Sequence, residues 1–133
     1  MYHAMHMKHP EIMPTTWIEL SKDALRDHVL SIREALPDEL DFMAVIKANA
    51  YGHGLLPVLE VLEQTDVDWY AVFDFADALV IRERSLRPVL VLSGANEEHF
   101  ALAAQKNIVI TISTREALQA LRTYKSTKKL HIH

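Results

Sequence analysis

Short apolar runs rich in β-branched residues recur along the chain at nearly regular intervals, with amphipathic helical patterns between them. The runs predict strands near residues 15–20, 42–47, 69–73, 89–92, 108–112 and 129–133. From the second run onwards the strand centres are about 20 to 26 residues apart, the length of one strand, one helix and two short loops. Strands connected in this way are parallel. The spacing therefore predicts an α/β fold but does not distinguish an open sheet from a closed barrel.

Polar residues ahead of the helical patterns mark where helices begin. Asp74 and Asn96 are placed to cap the N-termini of two helices. Ser113 and Glu116 have the spacing of a capping box before the last helix. We therefore expect three helix starts at these positions, each following a predicted strand.

Composition excludes several classes of function. The chain has 133 residues, a formal net charge of −4 and no cysteine, so it lacks the basic surface of a nucleic-acid-binding protein and any disulfide framework. It contains no apolar run near the roughly 20 residues of a membrane helix. Its first ten residues lack the apolar core of a signal peptide. We expect a cytoplasmic protein whose partners include neither nucleic acid nor membrane.

Three histidines, His3, His6 and His9, recur near the N-terminus. They are compatible with a metal-binding leader or with an unstructured start. We favour an unstructured leader over residues 1–13, because Pro10 and Pro14 disrupt regular structure within it and directly after it, and no second ligand cluster is evident. No metal site is expected.

The segment from Ala44 to Gly54, AVIKANAYGHG, is the most informative part of the chain. Its β-branched residues predict a buried strand that delivers Lys47 into a tight loop, and a helix opens at about Leu55. Partial desolvation at a strand end favours the neutral amine of a lysine, which can attack a carbonyl. Lys47 is therefore a candidate nucleophile, although a lysine that only extends from a strand end to solvent has the same position.

This segment closely resembles the pyridoxal-phosphate lysine motif of alanine racemases, Ala-Val-x-Lys-Ala-Asn-Ala-Tyr-Gly-His-Gly, and every fixed position of that motif is present. Residues 16–20 resemble the opening strand of the family, and residues 68–72 and 88–92 resemble two later barrel strands. The resemblance covers residues 14–133. It implies a partial (β/α)8 TIM-type barrel with about five barrel strands. The position of Lys47 at the carboxyl end of its strand agrees with this fold, because barrel active sites are found there.

The resemblance also implies roles for two residues. Lys47 would bind pyridoxal 5'-phosphate covalently and, once freed, act as a base on one face of the substrate α-carbon. Tyr51 resembles the family's phosphate-binding tyrosine, with the free N–H groups of the following helix as further anion donors; the alternative is a tyrosine packed under the barrel rim. The second base of the family is a tyrosine of the partner subunit, and none of the four tyrosines of this chain lies in the matching motif.

Neighbouring polar residues have simpler explanations. We expect His53 and Asn49 to hydrogen-bond the loop backbone. Asp68 precedes a strand, while Asp74 and Asp77 lie in the first turn of a helix, so all three are interpreted as structural. The run Glu97–His99 is interpreted as a solvated helix start rather than a metal cluster.

The chain is short for this family. A complete (β/α)8 barrel takes roughly 250 residues, and the sequence stops within a predicted strand at residues 130–133. In alanine racemases that strand continues into an Asp-Thr-Gly-Met-x-Arg segment. We therefore expect an N-terminal portion that lacks the remaining barrel strands and the C-terminal β domain, and that is inactive alone.

The expected function of the full-length protein is racemisation of L- and D-alanine with pyridoxal 5'-phosphate, which supplies D-alanine for peptidoglycan. It would work as a homodimer. Two alternatives remain open. One is a broad-specificity amino-acid racemase of the same fold, and the other is a non-catalytic partial barrel that binds cofactor or a complementing partner.

Overall fold

The structure is a computed structural model that describes residues 17–133. The helices are α1 (Lys22–Ala35), α3 (Leu55–Leu62), α4 (Phe75–Arg82), α5 (Glu97–Lys106) and α6 (Arg115–Thr123). The short segment α2 (Lys47–Tyr51) is a single turn with left-handed backbone angles. The strands are β1 (Met43–Val45), β2 (Trp69–Val72), β3 (Val89–Gly94), β4 (Val109–Thr111) and β5 (His131–Ile132). The predicted leader, residues 1–13, lies outside the described residues.

The five strands form one parallel sheet whose spatial order, β1-β2-β3-β4-β5, is the order of the sequence. Alternate strand residues enter the hydrophobic core with the helices, including Tyr70 and Val72 from β2 and Val89 and Val91 from β3. A doubly wound sheet would reverse its strand order and place helices on both faces. The unreversed order identifies part of a singly wound α/β barrel and confirms the predicted fold class.

The opposite face of the sheet carries a second row of side chains, apolar except for a histidine at its end. Strand register aligns Val45, Ala71, Leu90, Val109 and His131 across the five strands. In a closed barrel such a row fills the interior. Val45 is 40% exposed in this structure, as expected for an interior position on a sheet whose described strands do not close.

One predicted strand is absent. Residues 17–20 of the run predicted at 15–20 have no strand structure, and residues 15 and 16 lie outside the described part of the chain. Trp17 and Ile18 are each 70% exposed. An apolar run becomes a strand only where a neighbouring backbone pairs with it, and within residues 17–133 this segment pairs with none.

Two of the three predicted helix starts are confirmed. The Asp74 side chain accepts from the Asp77 N–H at 3.0 Å, and Asn96 is the N-cap of α5. The third prediction was wrong by one residue, because Thr114, and not Ser113, caps α6 and accepts from Ala117 N–H at 3.1 Å. Adjacent serine and threonine can both cap, so backbone conformation decided between them.

A polar cluster ties the amino end of the sheet to α3. The Tyr70 hydroxyl donates to Glu63 Oε1 at 2.6 Å, and the Ser85 hydroxyl donates to the same oxygen at 2.8 Å. Arg87 donates to the Tyr70 oxygen at 3.1 Å and to the Leu62 carbonyl at 2.8 Å. Burial, and then the Glu63 carboxylate, raise the pKa of the Tyr70 phenol. The cluster lies at the end opposite Lys47, where barrel residues serve stability.

Replacing Tyr70 with phenylalanine removes a donor from the Glu63 carboxylate. We expect Tyr70→Phe to lower the free energy of unfolding by about 1 to 3 kcal/mol, the cost of leaving a buried polar group with one partner fewer. Urea denaturation at neutral pH measures this loss. No change in stability would show that the hydroxyl contributes nothing to the cluster.

The raised pKa of Tyr70 also predicts a dependence on alkaline pH. The folded protein holds the phenol proton more tightly than the unfolded chain does. This stabilisation is complete below the unfolded pKa of about 10 and is lost as the pH rises through the folded value. Above pH ~10 the unfolding free energy of the wild type should fall more steeply than that of Tyr70→Phe. Parallel declines would contradict the assignment.

Candidate functional site

Lys47 lies where the sequence predicts it, directly after β1 at the carboxyl end of the sheet. The Ile46 N–H donates to the Ala71 carbonyl at 2.9 Å, so the β1 ladder continues to the residue before Lys47. Ile46 is buried and Lys47 is half-buried. Within the described residues, Lys47 Nζ forms no ion pair. The backbone at Lys47 is thus rigidly placed while its amine remains available.

A left-handed turn follows Lys47. Ala48, Asn49, Ala50 and Tyr51 have φ values of 52°, 54°, 52° and 54°. Left-handed backbone costs an L-residue other than glycine about 1 to 2 kcal/mol, and asparagine tolerates it best. Strain of this kind persists only where surrounding contacts impose it, and it concentrates at functional sites.

Contacts at both ends hold the turn. The Ala50 N–H donates to the Ile46 carbonyl at 3.1 Å, which anchors the turn to β1. On the other side, Asn49 Oδ1 accepts from the Leu55 N–H at 2.7 Å, and His53 Nδ1 lies 2.9 Å from the Ala50 carbonyl oxygen. The loop-bonding roles predicted for Asn49 and His53 are confirmed.

The start of α3 has fewer open donors than we expected. Its first N–H, from Leu55, is bonded to Asn49, and the Val58 N–H donates to the Gly54 carbonyl at 3.2 Å. Residue 57 is proline and has no N–H. The Asn49 side chain therefore occupies one of the expected donors, and an anion site at the remaining Leu56 N–H stays a prediction.

Tyr51 ends the left-handed turn and is 59% exposed. Tyr51 and His53 line one side of a cleft of about 570 Å³ between α1 and β1. The Tyr51 hydroxyl can reach a ligand, and a phenol O–H can donate a hydrogen bond to a phosphate oxygen. The structure thus brings Lys47 and Tyr51 to the two ends of one turn.

Sequence reasoning did not single out the other strand ends at this edge. Ser93 and Gly94 end β3, and Thr111 ends β4. A Cβ at Gly94 would collide with the Ser113 hydroxyl, so glycine permits the two strand ends to approach. The signal was available in the predicted strand boundaries, because carboxyl strand ends line barrel active sites.

The remaining polar candidates are structural. Asp68 accepts from the Phe42 N–H at 2.7 Å and joins two strand starts. Glu97–His99 forms the first turn of α5, where His99 Nδ1 accepts from the Asn96 N–H at 3.2 Å. Partial burial, followed by the Asp74 carboxylate, raises the pKa of Asp77.

Across residues 17–133, no helix is long and apolar enough to span a membrane.

The sheet topology and the position of Lys47 place the chain among α/β-barrel proteins, and comparisons with known proteins define the family. Residues 20–133 match the family model for the alanine racemase N-terminal domain. The alanine racemase of Geobacillus stearothermophilus is 38% identical over 120 residues, which are 89% of this chain and 31% of that protein. The chain belongs to the alanine racemase N-terminal domain family.

Solved structures agree with this assignment. Alanine racemase from E. faecalis superposes with a TM-score of 0.78 at 28% identity, over 84% of this chain and 31% of that one. Histidine racemase from Leuconostoc mesenteroides subsp. sake gives a TM-score of 0.74 at 27% identity, over 85% and 31%. The chain therefore spans about a third of the length of its relatives.

Because the turn is left-handed, substitution of one of its residues with glycine should change the unfolding free energy differently from the same substitution in an ordinary helix. Ala48→Gly relieves the strain of a positive φ, so we expect the unfolding free energy to stay within about 0.5 kcal/mol of wild type or to rise. The matched control is Ala101→Gly in α5, another exposed alanine, which should lose about 1 kcal/mol. Chemical denaturation compares the two, and equal losses would argue against a left-handed residue 48.

Proposed function

We propose that this chain supplies the cofactor-binding part of a pyridoxal-phosphate-dependent alanine racemase. The full-length protein would interconvert L- and D-alanine and so supply D-alanine for peptidoglycan. The observation that carries the proposal is the position of Lys47 at the carboxyl end of β1, with Tyr51 at the end of the strained turn that follows it. Family membership supports the same conclusion.

The residues of the site fit this cofactor. A half-buried lysine amine at a strand end can condense with an aldehyde, and the exposed Tyr51 hydroxyl can donate to a phosphate. The bound cofactor supplies an electron sink for the charge that develops on the substrate α-carbon. The protein supplies position and proton transfer.

Lys47 would serve two roles in turn. Its Nζ would hold the cofactor through the aldehyde group. Once substrate had taken its place, the freed amine would move a proton on one face of the α-carbon. Racemisation also needs an acid or base on the opposite face.

The described tyrosines do not supply that second group. Tyr70 is held in the polar cluster at the opposite end of the sheet, and Tyr124 packs edge-on against Phe100 with ring centroids 5.4 Å apart. Tyr51 is assigned to the phosphate, and Tyr2 lies outside residues 17–133. The resemblance to alanine racemases implies a tyrosine of the partner subunit, and we propose that the second group comes from there in a homodimer and that the chain alone binds cofactor without racemising alanine.

Covalent trapping tests the proposed role of Lys47. After incubation with pyridoxal 5'-phosphate and reduction with borohydride, mass spectrometry should find the pyridoxyl group mainly on Lys47. Lys47→Arg should abolish this labelling, since a guanidinium does not condense with the aldehyde. Lys106→Arg, which changes an exposed lysine in the last turn of α5, should leave it intact. Uniform labelling of the surface lysines would refute the proposal.

A racemase of different or broader specificity is the second candidate. The histidine racemase that shares this fold favours it, because one scaffold can serve more than one amino acid. A comparison of turnover with alanine, serine, lysine, arginine and histidine in the full-length protein separates the candidates.

We further propose that the protein acts in the cytoplasm, where D-alanine is needed for precursor synthesis.

A further inference from the structure

Asn49 stands at the middle of the turn that carries both proposed site residues. Its side-chain Oδ1 accepts from the Leu55 N–H at 2.7 Å. Its backbone carbonyl accepts from the Gly54 N–H at 2.9 Å and from the Gly52 N–H at 3.2 Å. One residue thus receives three N–H groups from the segment that leads into α3.

The two ends of the turn are fixed by different contacts. Lys47 follows directly on the β1 ladder, whose last bond joins Ile46 to Ala71. Tyr51 has no such strand beside it and is 59% exposed, so packing does little to fix its ring. The position of Tyr51 therefore depends on the backbone of the turn.

The side chain of Asn49 suits this task in two ways. Asparagine tolerates a left-handed conformation better than other residues with a Cβ, and its short amide reaches a backbone N–H several residues onward. The flanking residues, Ala48 and Ala50, have no polar side-chain atom. Asn49 therefore makes the side-chain hydrogen bond that links the turn to the start of α3.

We infer that Asn49 is a positioning residue that holds Tyr51 in place for the cofactor phosphate, an inference that rests on the proposed function. The hydrogen bond from the Leu55 N–H to the Asn49 side chain connects the turn to α3, a helix that is packed in the core. Tyr51 lies between these two residues, so this bond restrains its backbone. Its effect should therefore appear in recognition of the phosphate and not in the reaction of Lys47 with an aldehyde.

Three variants separate the hydrogen bond from the backbone conformation. Asn49→Gly keeps the freedom to adopt a positive φ and removes the acceptor. Asn49→Asp retains an oxygen acceptor for the Leu55 N–H, since aspartate and asparagine cap helices equally well. Ala48→Gly adds the same backbone freedom one residue earlier and leaves Asn49 in place. Thermal unfolding of each variant establishes that it is folded.

Two measurements follow in the folded variants. Hydrogen exchange at the Leu55 amide should be about tenfold faster in Asn49→Gly and close to wild type in Asn49→Asp. Affinity is then compared for pyridoxal 5'-phosphate and for pyridoxal, which lacks the phosphate. The preference for the phosphorylated compound should fall about tenfold in Asn49→Gly, with pyridoxal binding within about twofold of wild type. Ala48→Gly should retain the preference.

Other results overturn the inference. An unchanged phosphate preference in Asn49→Gly would mean that Asn49 caps α3 without positioning Tyr51. An equal loss in Ala48→Gly would mean that backbone stiffness, and not the acceptor, matters. If the wild type binds neither compound at Lys47, the proposed function fails. The backbone order parameter of Tyr51 then decides the inference separately: a decrease in Asn49→Gly that Asn49→Asp does not show supports positioning, and no decrease overturns it.

Discussion

The strained turn from Ala48 to Tyr51 depends on being anchored at both ends. At its start, the Ala50 N–H bonds back to the Ile46 carbonyl, next to the last bond of the β1 ladder. A second contact connects the turn to α3, because the Asn49 side chain accepts from the Leu55 N–H. Neither anchor would be rigid in an isolated peptide, because each belongs to an element packed in the core. The strain of the turn is thus offset by the burial of Ile46 and of α3.

The two ends of the sheet have different tasks. The amino end carries a polar cluster around Tyr70 in which the described groups satisfy one another, as a stabilising network should. The carboxyl end carries the two residues that we propose hold the cofactor: Lys47, which forms no ion pair within the described residues, and the exposed Tyr51. A parallel barrel separates the two tasks by its length, so a change at one end need not disturb the other.

In our proposal, the inner face of the sheet is where the described chain meets the rest of the protein. Its row from Val45 to His131, apolar except for the histidine, is the kind of surface that a closed barrel buries. Relatives are about three times as long as this chain, since the aligned region is 31% of the Geobacillus stearothermophilus protein. We propose that this remaining length closes the barrel. We also propose that the same part of the partner subunit provides the acid or base on the opposite face of the substrate α-carbon.

The sequence by itself determined the parallel α/β pattern, the strand that ends at Lys47 and the start of α3 at Leu55. These follow from local periodicity, β-branched residues and glycines, and the motif around Lys47 was specific enough to identify its family. Tertiary structure decided the rest. The run at residues 17–20 lacks a paired strand, Thr114 replaces Ser113 as a cap, and the positive φ values of residues 48–51 run against the preference of alanine. Pairing, capping geometry and strain depend on neighbours distant in sequence, so local propensity did not predict them.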